Sequence, residues 1–431
     1  MQRSMMEAYG WWHGITRYQW LVLLVAWMGW VFDSMDATLY VVVLTPALKT
    51  LLGPAATDAA IAARGGLILA FFLIGWAIGG VLFGVFADRL GRTRALIWTI
   101  LIYAVFTGLA ALSQTWWHLA IFRFLTAIGV GGEWAAGAAL VAEVWPLRAR
   151  TMAGGVLHSA WAVGVFFAGA VNYFIGPYSW RAVFVVGVAP ALVALVVRRN
   201  VREPEMWHAA VNRLRATDSP EFSVGRMREL FRPGLLRATL VGSLMAFVAV
   251  FGLWGVTYWT PLLIRHAPDA ALIAEAATVH RVSVGVMILN VGALVGYLAF
   301  APLTIRIGRR WAFFIFFLGA LVMVPTLFHT ARRYEQVLWL LPLLGFFTNG
   351  IFTGFAIYFP ELYPTRLRTT GAGFCFNFAR VFASTGPFLT GALTGLFGSF
   401  SRAVTAVGMI YLLGLLLLPF APETRGKDLP A

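Results

Sequence analysis

Apolar residues in this chain run in long blocks, not at the two-residue or 3.6-residue periods that mark half-buried strands and helices. A helix needs about 20 apolar residues to cross the hydrocarbon of a bilayer. Twelve stretches reach or approach that length: 19–46, 66–87, 95–113, 118–145, 152–175, 181–197, 236–263, 283–303, 311–329, 336–359, 370–395 and 402–420. The one long polar interruption is an arginine-rich stretch containing Pro204, Pro220 and Pro233. The pattern predicts an all-α membrane protein with an N-terminal bundle of six helices (1–197), a cytoplasmic central loop (198–235) and a C-terminal bundle of six helices with a short tail (236–431).

Composition agrees with the pattern, at 60% hydrophobic and 12% charged residues. The net charge of +15 would suggest a nucleic-acid partner in a soluble chain. Most of the 33 Lys and Arg, however, fall in the loops on one side of the expected spans. The positive-inside rule then accounts for the charge, places both termini in the cytoplasm and leaves no role for nucleic acid. The segment before Arg17, with Trp11, Trp12 and His13, lacks the short apolar core and small-residue cleavage site of a removable signal peptide. A single cysteine, Cys375, rules out an internal disulfide and a cysteine metal cluster. No cofactor is expected.

An internal repeat supports the division into halves. "EVWPLRARTMAGG" (143–155) and "ELYPTRLRTTGAG" (361–373) share Glu, Pro, two Arg, Thr and Gly, each after the fourth span of its half. A weaker echo links "DRLGRTR" (88–94) to "IRIGRRW" (305–311). Two homologous six-helix halves are an architecture of alternating-access transporters.

"GVFADRLGRTR" (84–94) fits the pattern G-x-x-x-D-R-x-G-R-x-R, which resembles the loop signature of the major facilitator superfamily. "FDSMDATLYVVVLTPAL", "RFLTAIGVGGEWAAGAALVAEVWP" and "WRAVFVVGVAPALVALVVRRNVREPEMW" further resemble the sialate:proton symporter family of sialic acid and lactate–pyruvate permeases. The tail "PETRGKDL" (422–429) is similar to a motif of sugar porters. The resemblance implies a major facilitator fold and a cytoplasmic gate. In that gate Asp88 pairs with Arg148 or Arg150, and Glu143 with Arg92 or Arg89. Glu361, Arg366, Arg368, Arg306, Arg309 and Arg310 form the equivalent set in the second half. Gly84 and Gly91 would permit close helix approach and a tight turn. Arginines at cytoplasmic helix ends also satisfy the charge rule on their own, whereas Asp88 and Glu143 gain nothing from it.

Five full charges interrupt the apolar spans: Asp33, Asp36, Arg123, Glu133 and Arg380. Each costs about 2.5–3.5 kcal/mol at a helix centre, so function is their default reading. Asp33 and Asp36 lie roughly 60° apart on a helix and would share one face with Tyr40. Two carboxylates that close rarely ionise together, which suggests a shared proton. Arg123 matches the span-4 arginine that the superfamily ties to proton coupling; its other reading is bonding to carbonyls of a neighbouring helix. Ten residues, about 15 Å, separate it from Glu133. Arg380 is the anion-binding candidate, because its fork matches a carboxylate bidentately, with Asn377 one turn earlier; its alternative is helix packing. His158 and Trp161 in span 5, Trp254 and Tyr258 in span 7 and Asn349 in span 10 complete the candidate substrate residues, although aromatics also mark membrane interfaces. "GVGGE" (129–133) and "GWAIGGVLFG" (75–84) read as helix-packing seams, with no strand ahead to make a phosphate loop.

The sequence therefore points to a proton-coupled importer of an organic anion: a monocarboxylate, sialic acid or sugar acid. The remaining readings are a sugar porter or uniporter of the same fold, a drug antiporter and a non-transporting sensor. An enzyme is not expected, since the spans carry no paired nucleophile and base. A monomer in the inner membrane is the expected form, with protons, the organic anion and lipid as partners.

Overall fold

The computed structural model describes residues 11–53, 57–176, 178–217, 225–265, 275–330, 333–383 and 386–430. Among them the regular elements are helices and no strand occurs. The first half contains α1 (Arg17–Leu52), α2 (Asp58–Leu90), α3 (Arg92–Ala110), α4 (Trp116–Val144), α5 (Leu147–Ile175), α6 (Trp180–Val186), α7 (Pro190–Asn200) and the loop helix α8 (Glu205–Thr217). The second half contains α9 (Pro233–Val256), α10 (Thr260–Arg265), α11 (Glu275–Ile307), α12 (Arg309–Thr330), α13 (Tyr334–Leu362), α14 (Arg368–Ala383), α15 (Gly386–Phe397), α16 (Phe400–Gly408) and α17 (Ile410–Leu417).

Among the described residues, ten helical stretches are long and apolar enough to cross a membrane. The sixth and eleventh expected spans are each covered by two shorter helices. The sixth breaks between α6 and α7, where Pro190 stands in the first turn of α7 and cannot donate to the preceding turn. Helix starts are capped as their sequences require. Thr16 and Gln19 form a reciprocal capping box at α1, while Thr57, Thr115 and Ser179 accept from the first turns of α2, α4 and α6.

The chain divides into two compact units, Met1–Leu235 with Phe359–Asn377 and Asp428–Ala431, and Leu236–Tyr358 with Phe378–Lys427. In the first unit, α2 and α3 pack along α4, α1 along α5, and α3 against α7. The α2–α4 seam is close because of glycine: a methyl on Gly75 or Gly79 would stand 2.5 or 2.1 Å from the carbonyl oxygens of Phe124 and Ile128. The second unit repeats this device. Methyls on Gly292 and Gly296 of α11 would stand 2.0 and 2.4 Å from the carbonyl oxygens of Pro342 and Phe346 in α13. The two glycine pairs are separated by the same interval as Gly91 and Gly308, which extends the repeat beyond its loop motifs.

Candidate functional site

The charged spans of the first unit converge on an ion pair. Arg123 of α4 reaches Asp36 of α1 at 2.9 Å, with both side chains fully buried. Thr107 of α3 donates to the same carboxylate at 2.6 Å, and Arg123 also donates to the Asp36 carbonyl at 3.3 Å. The guanidinium lies over the rings of Phe72, Tyr40 and Phe184, at 4.6, 5.5 and 5.8 Å from their centroids. Such a cage desolvates the cation and holds it to one partner. Asp36 therefore takes its counter-charge from Arg123, a partner that the sequence did not indicate. Tyr40 supports the cation and donates its hydroxyl to the Gly65 carbonyl at 3.1 Å.

A second acid lies apart from this pair. Glu133 is buried in α4, and neither carboxylate oxygen has a hydrogen-bonding partner among the described residues. Its nearest space is made by Gly29 of α1, where a methyl would fall 2.0 Å from Glu133 Oε1. The buried Tyr103 of α3 lies within electrostatic reach of Glu133, Asp33 and Asp36. Asp33, Asp36 and Glu133 are thus buried acids of the first unit, and Arg123 is its caged arginine.

Beside them runs a file of aromatic rings. Trp76 stacks on Trp161 at 6.3 Å, Trp161 meets Trp30 at 5.5 Å, and Trp30 meets His158 at 6.1 Å. The Trp134 indole donates to His158 Nδ1 at 3.5 Å, and its ring stacks on Phe376 at 4.2 Å. Of the expected substrate residues, His158 and Trp161 belong to this file. Trp30, Trp76, Trp134 and Phe376 were missed, since single tryptophans inside apolar spans carry no periodic signal. Asn377 is buried, donates to its own helix at Gly373 (2.8 Å) and packs on Gly80.

The loop motifs form a network within the first unit. Asp88 pairs with Arg92 at 3.1 Å and accepts from the backbone N–H groups of Thr369 and Thr370 at 3.2 and 2.7 Å. These contacts replace the expected pairing with Arg148 or Arg150. Arg148 donates to the His13 carbonyl at 2.6 Å instead, and Arg150 lies in the first turn of α5. Glu143 binds Arg92 at 3.0 Å and Arg368 at 2.6 Å. Arg368 also donates to the Pro430 carbonyl at 2.8 Å, and Arg92 to the Thr365 carbonyl at 2.5 Å. Gly84 allows the approach, its carbonyl accepting from the Thr369 hydroxyl at 2.8 Å. Arg366 pairs with Glu229, a partner that the sequence did not indicate. Glu361 is buried and Arg89 is exposed at the end of α2.

The clearest feature that sequence reasoning passed over is a pair of carboxylates after the last span of each half. Glu203 accepts from the N–H groups of Thr93 and Arg94 at 3.1 and 3.0 Å, capping α3 behind Gly91, whose φ of 114° excludes most side chains. Glu423 accepts from Arg309 and Arg310 at 3.1 Å each, capping α12 behind Gly308 at φ 91°. Partial burial pushes the Glu423 carboxyl up, but the donated N–H groups and the Arg309 charge outweigh it and hold the group below the ordinary glutamate range. A visible signal was the recurrence of Glu beside Pro in "REPE" and "APET".

In the second unit the candidate residues are mostly neutral. Tyr297 donates to Asn349 at 3.2 Å, and Asn349 to Thr348 at 3.2 Å. Arg380 is buried on α14, and Trp254 is half-buried on α9. The Tyr258 side chain lies outside the described residues.

Residues 26–274 match the model of the Major Facilitator Superfamily. The chain belongs to that superfamily. A putative metabolite transport protein of Haemophilus influenzae is 31% identical, covering 96% of this chain and 99% of the relative. The niacin transporter NiaP of Acinetobacter baylyi is 27% identical, with 96% of each covered. The sialic acid transporter NanX of Escherichia coli is 26% identical, with 91% of each covered. Among solved structures, the proton:xylose symporter XylE bound to 6-bromo-6-deoxy-D-glucose superimposes with a TM-score of 0.77 at 20% identity, covering 96% of this chain and 98% of XylE; that likeness concerns the fold alone. The protein is accordingly a multi-pass membrane protein of a transporter superfamily and not an enzyme.

Proposed function

We propose that this protein imports a small organic acid together with protons by alternating access. The observation that carries the reading is the buried ion pair of Asp36 and Arg123, with Glu133 on the same helix as Arg123 and without a cation of its own among the described residues. An isolated carboxylate in a dry interior is costly as an anion, and protonation removes the charge. Glu133 is the proposed proton carrier on this ground, Asp33 is proposed beside it as a buried acid one turn from Asp36, and Arg123 would hold Asp36 until a proton arrives to release it. Arg380 is assigned the substrate carboxylate on the chemistry of its fork. Relatives named for niacin and sialic acid support an organic acid as cargo. The aromatic file favours a planar acid among these, since flat rings gain most from edge and face contacts with tryptophan.

The network of Asp88, Glu143, Arg92 and Arg368 is proposed as the cytoplasmic gate. It would act by being paired in one state and broken in another, because an element shifts an equilibrium only by its differential free energy between states. Both termini are placed in the cytoplasm by the arginine bias, in the inner membrane, with the monomer as the working unit.

Proteoliposome uptake tests the reading. Labelled nicotinate, sialic acid, lactate and xylose are offered with and without an inward proton gradient. Accumulation of an acid that collapses with the gradient is expected. Uptake indifferent to the gradient would sink proton coupling, and preference for xylose would sink the organic-acid assignment.

A further inference from the structure

The tryptophans of the first unit differ in one respect. Trp27 donates its indole N–H to the Ser159 hydroxyl at 3.2 Å, Trp134 to His158, Trp145 to the Gln19 carbonyl at 3.0 Å and Trp207 to the Asp88 carbonyl at 2.7 Å. Trp30 is as deeply buried, at 3% exposure, yet its N–H meets no acceptor among the described residues. Buried donors are paired in the great majority of structures, and one left open calls for an explanation. The ring beside it, Trp161 at 5.5 Å, is the half-exposed member of the aromatic file. An open donor next to a reachable flat face is the arrangement that recognises a planar molecule with an acceptor on its edge.

We propose that the Trp30 indole N–H donates to an acceptor on the ring edge of a planar organic acid lying against Trp161, and thereby selects that acid over an analogue lacking the acceptor. The inference rests on the organic-acid reading above and adds to it a specificity-determining residue. His158 is already engaged by Trp134 and Ser159 by Trp27, so neither competes for the Trp30 donor through those bonds. A ring nitrogen or a phenolic oxygen meets the requirement, whereas an unsubstituted benzene edge does not.

Nicotinate and benzoate differ in that acceptor and share the carboxylate. Inhibition of labelled nicotinate uptake by each acid is measured in proteoliposomes for the wild type and for Trp30→Phe, which keeps a flat ring and removes the donor. The wild type is expected to prefer nicotinate by about tenfold, the worth of one hydrogen bond. In Trp30→Phe the preference falls towards one. Trp30→His, which restores an N–H, should recover part of the preference. A wild type that does not distinguish the two acids overturns the proposal even if every variant misfolds, and so does a Trp30→Phe protein that still prefers nicotinate. Uptake of another organic acid with no binding of nicotinate also overturns it while leaving the organic-acid reading intact; uptake of neutral sugar alone removes both.

Discussion

The two units are built from the same helical plan and filled differently. In the first, the interior of the spans carries Asp33, Asp36, Arg123 and Glu133, all essentially inaccessible to solvent. In the second, Tyr297, Thr304, Thr348, Asn349 and Thr353 are buried neutral residues of α11 and α13, Thr353 donating to the Tyr297 carbonyl at 3.1 Å, while Arg380 is the buried charge of α14. The scaffold devices, by contrast, occur twice. Glycine pairs seat α2 on α4 and α11 on α13, and a carboxylate behind a positive-φ glycine caps α3 and α12. Duplication preserved the parts that hold helices together, and the charged chemistry stands mainly in one copy.

Breaking the ion pair should have the largest effect. Arg123→Gln leaves Asp36 buried without its cation and is expected to destabilise the protein by roughly 3–5 kcal/mol and to abolish uptake. The double variant Asp36→Asn/Arg123→Gln should regain much of the thermal stability without regaining gradient-driven transport. Recovery of coupled transport in the double variant would mean that the pair is scaffold after all. Next in size is Glu143→Gln, which takes the charge away from both Arg92 and Arg368. A loss of about 2–3 kcal/mol is expected, measured as a lower Tm, with the transport rate reduced more than KM is raised if the network gates.

The two caps offer a matched comparison. Glu203→Ala and Glu423→Ala should each cost about 1 kcal/mol, and a large disparity between them would break the equivalence of the halves. Glu423 also has a pH signature. Its folded carboxyl titrates below the ordinary range, so its contribution is complete above the unfolded value of about 4.3 and disappears as pH falls through the depressed folded value. Wild type should lose stability across that acid window, and Glu423→Ala should lose less. The smallest effect is expected of Asn349→Leu, about 1 kcal/mol from the freed Tyr297 hydroxyl, with gradient coupling unchanged. Loss of coupling there would show that the second unit takes part in proton movement.

The fold was legible because hydrophobic length and arginine sidedness are properties of single segments. Twelve apolar stretches, the loop pattern "GVFADRLGRTR" and the Glu-x-x-Pro-x-Arg-x-Arg repeat were enough to reach the superfamily. The five intramembrane charges were equally visible, because cost marks them one by one. Their partners were not. That Asp36 meets Arg123 across 87 positions, or that Arg148 serves the His13 carbonyl, depends on packing that no local pattern encodes. Pairings across a close backbone approach were the most obscure: Asp88 binds peptide N–H groups at Thr369 and Thr370, which carry no side-chain signature.

Gly29 has a consequence for descent. Its hydrogen occupies space that a methyl would contest with Glu133 Oε1, so positions 29 and 133 are not free to drift separately. A relative that has acquired alanine at the first should have shortened or neutralised the second, and one that has kept the glutamate should have kept the glycine. The two positions, on different helices and 104 apart in the chain, form one heritable unit.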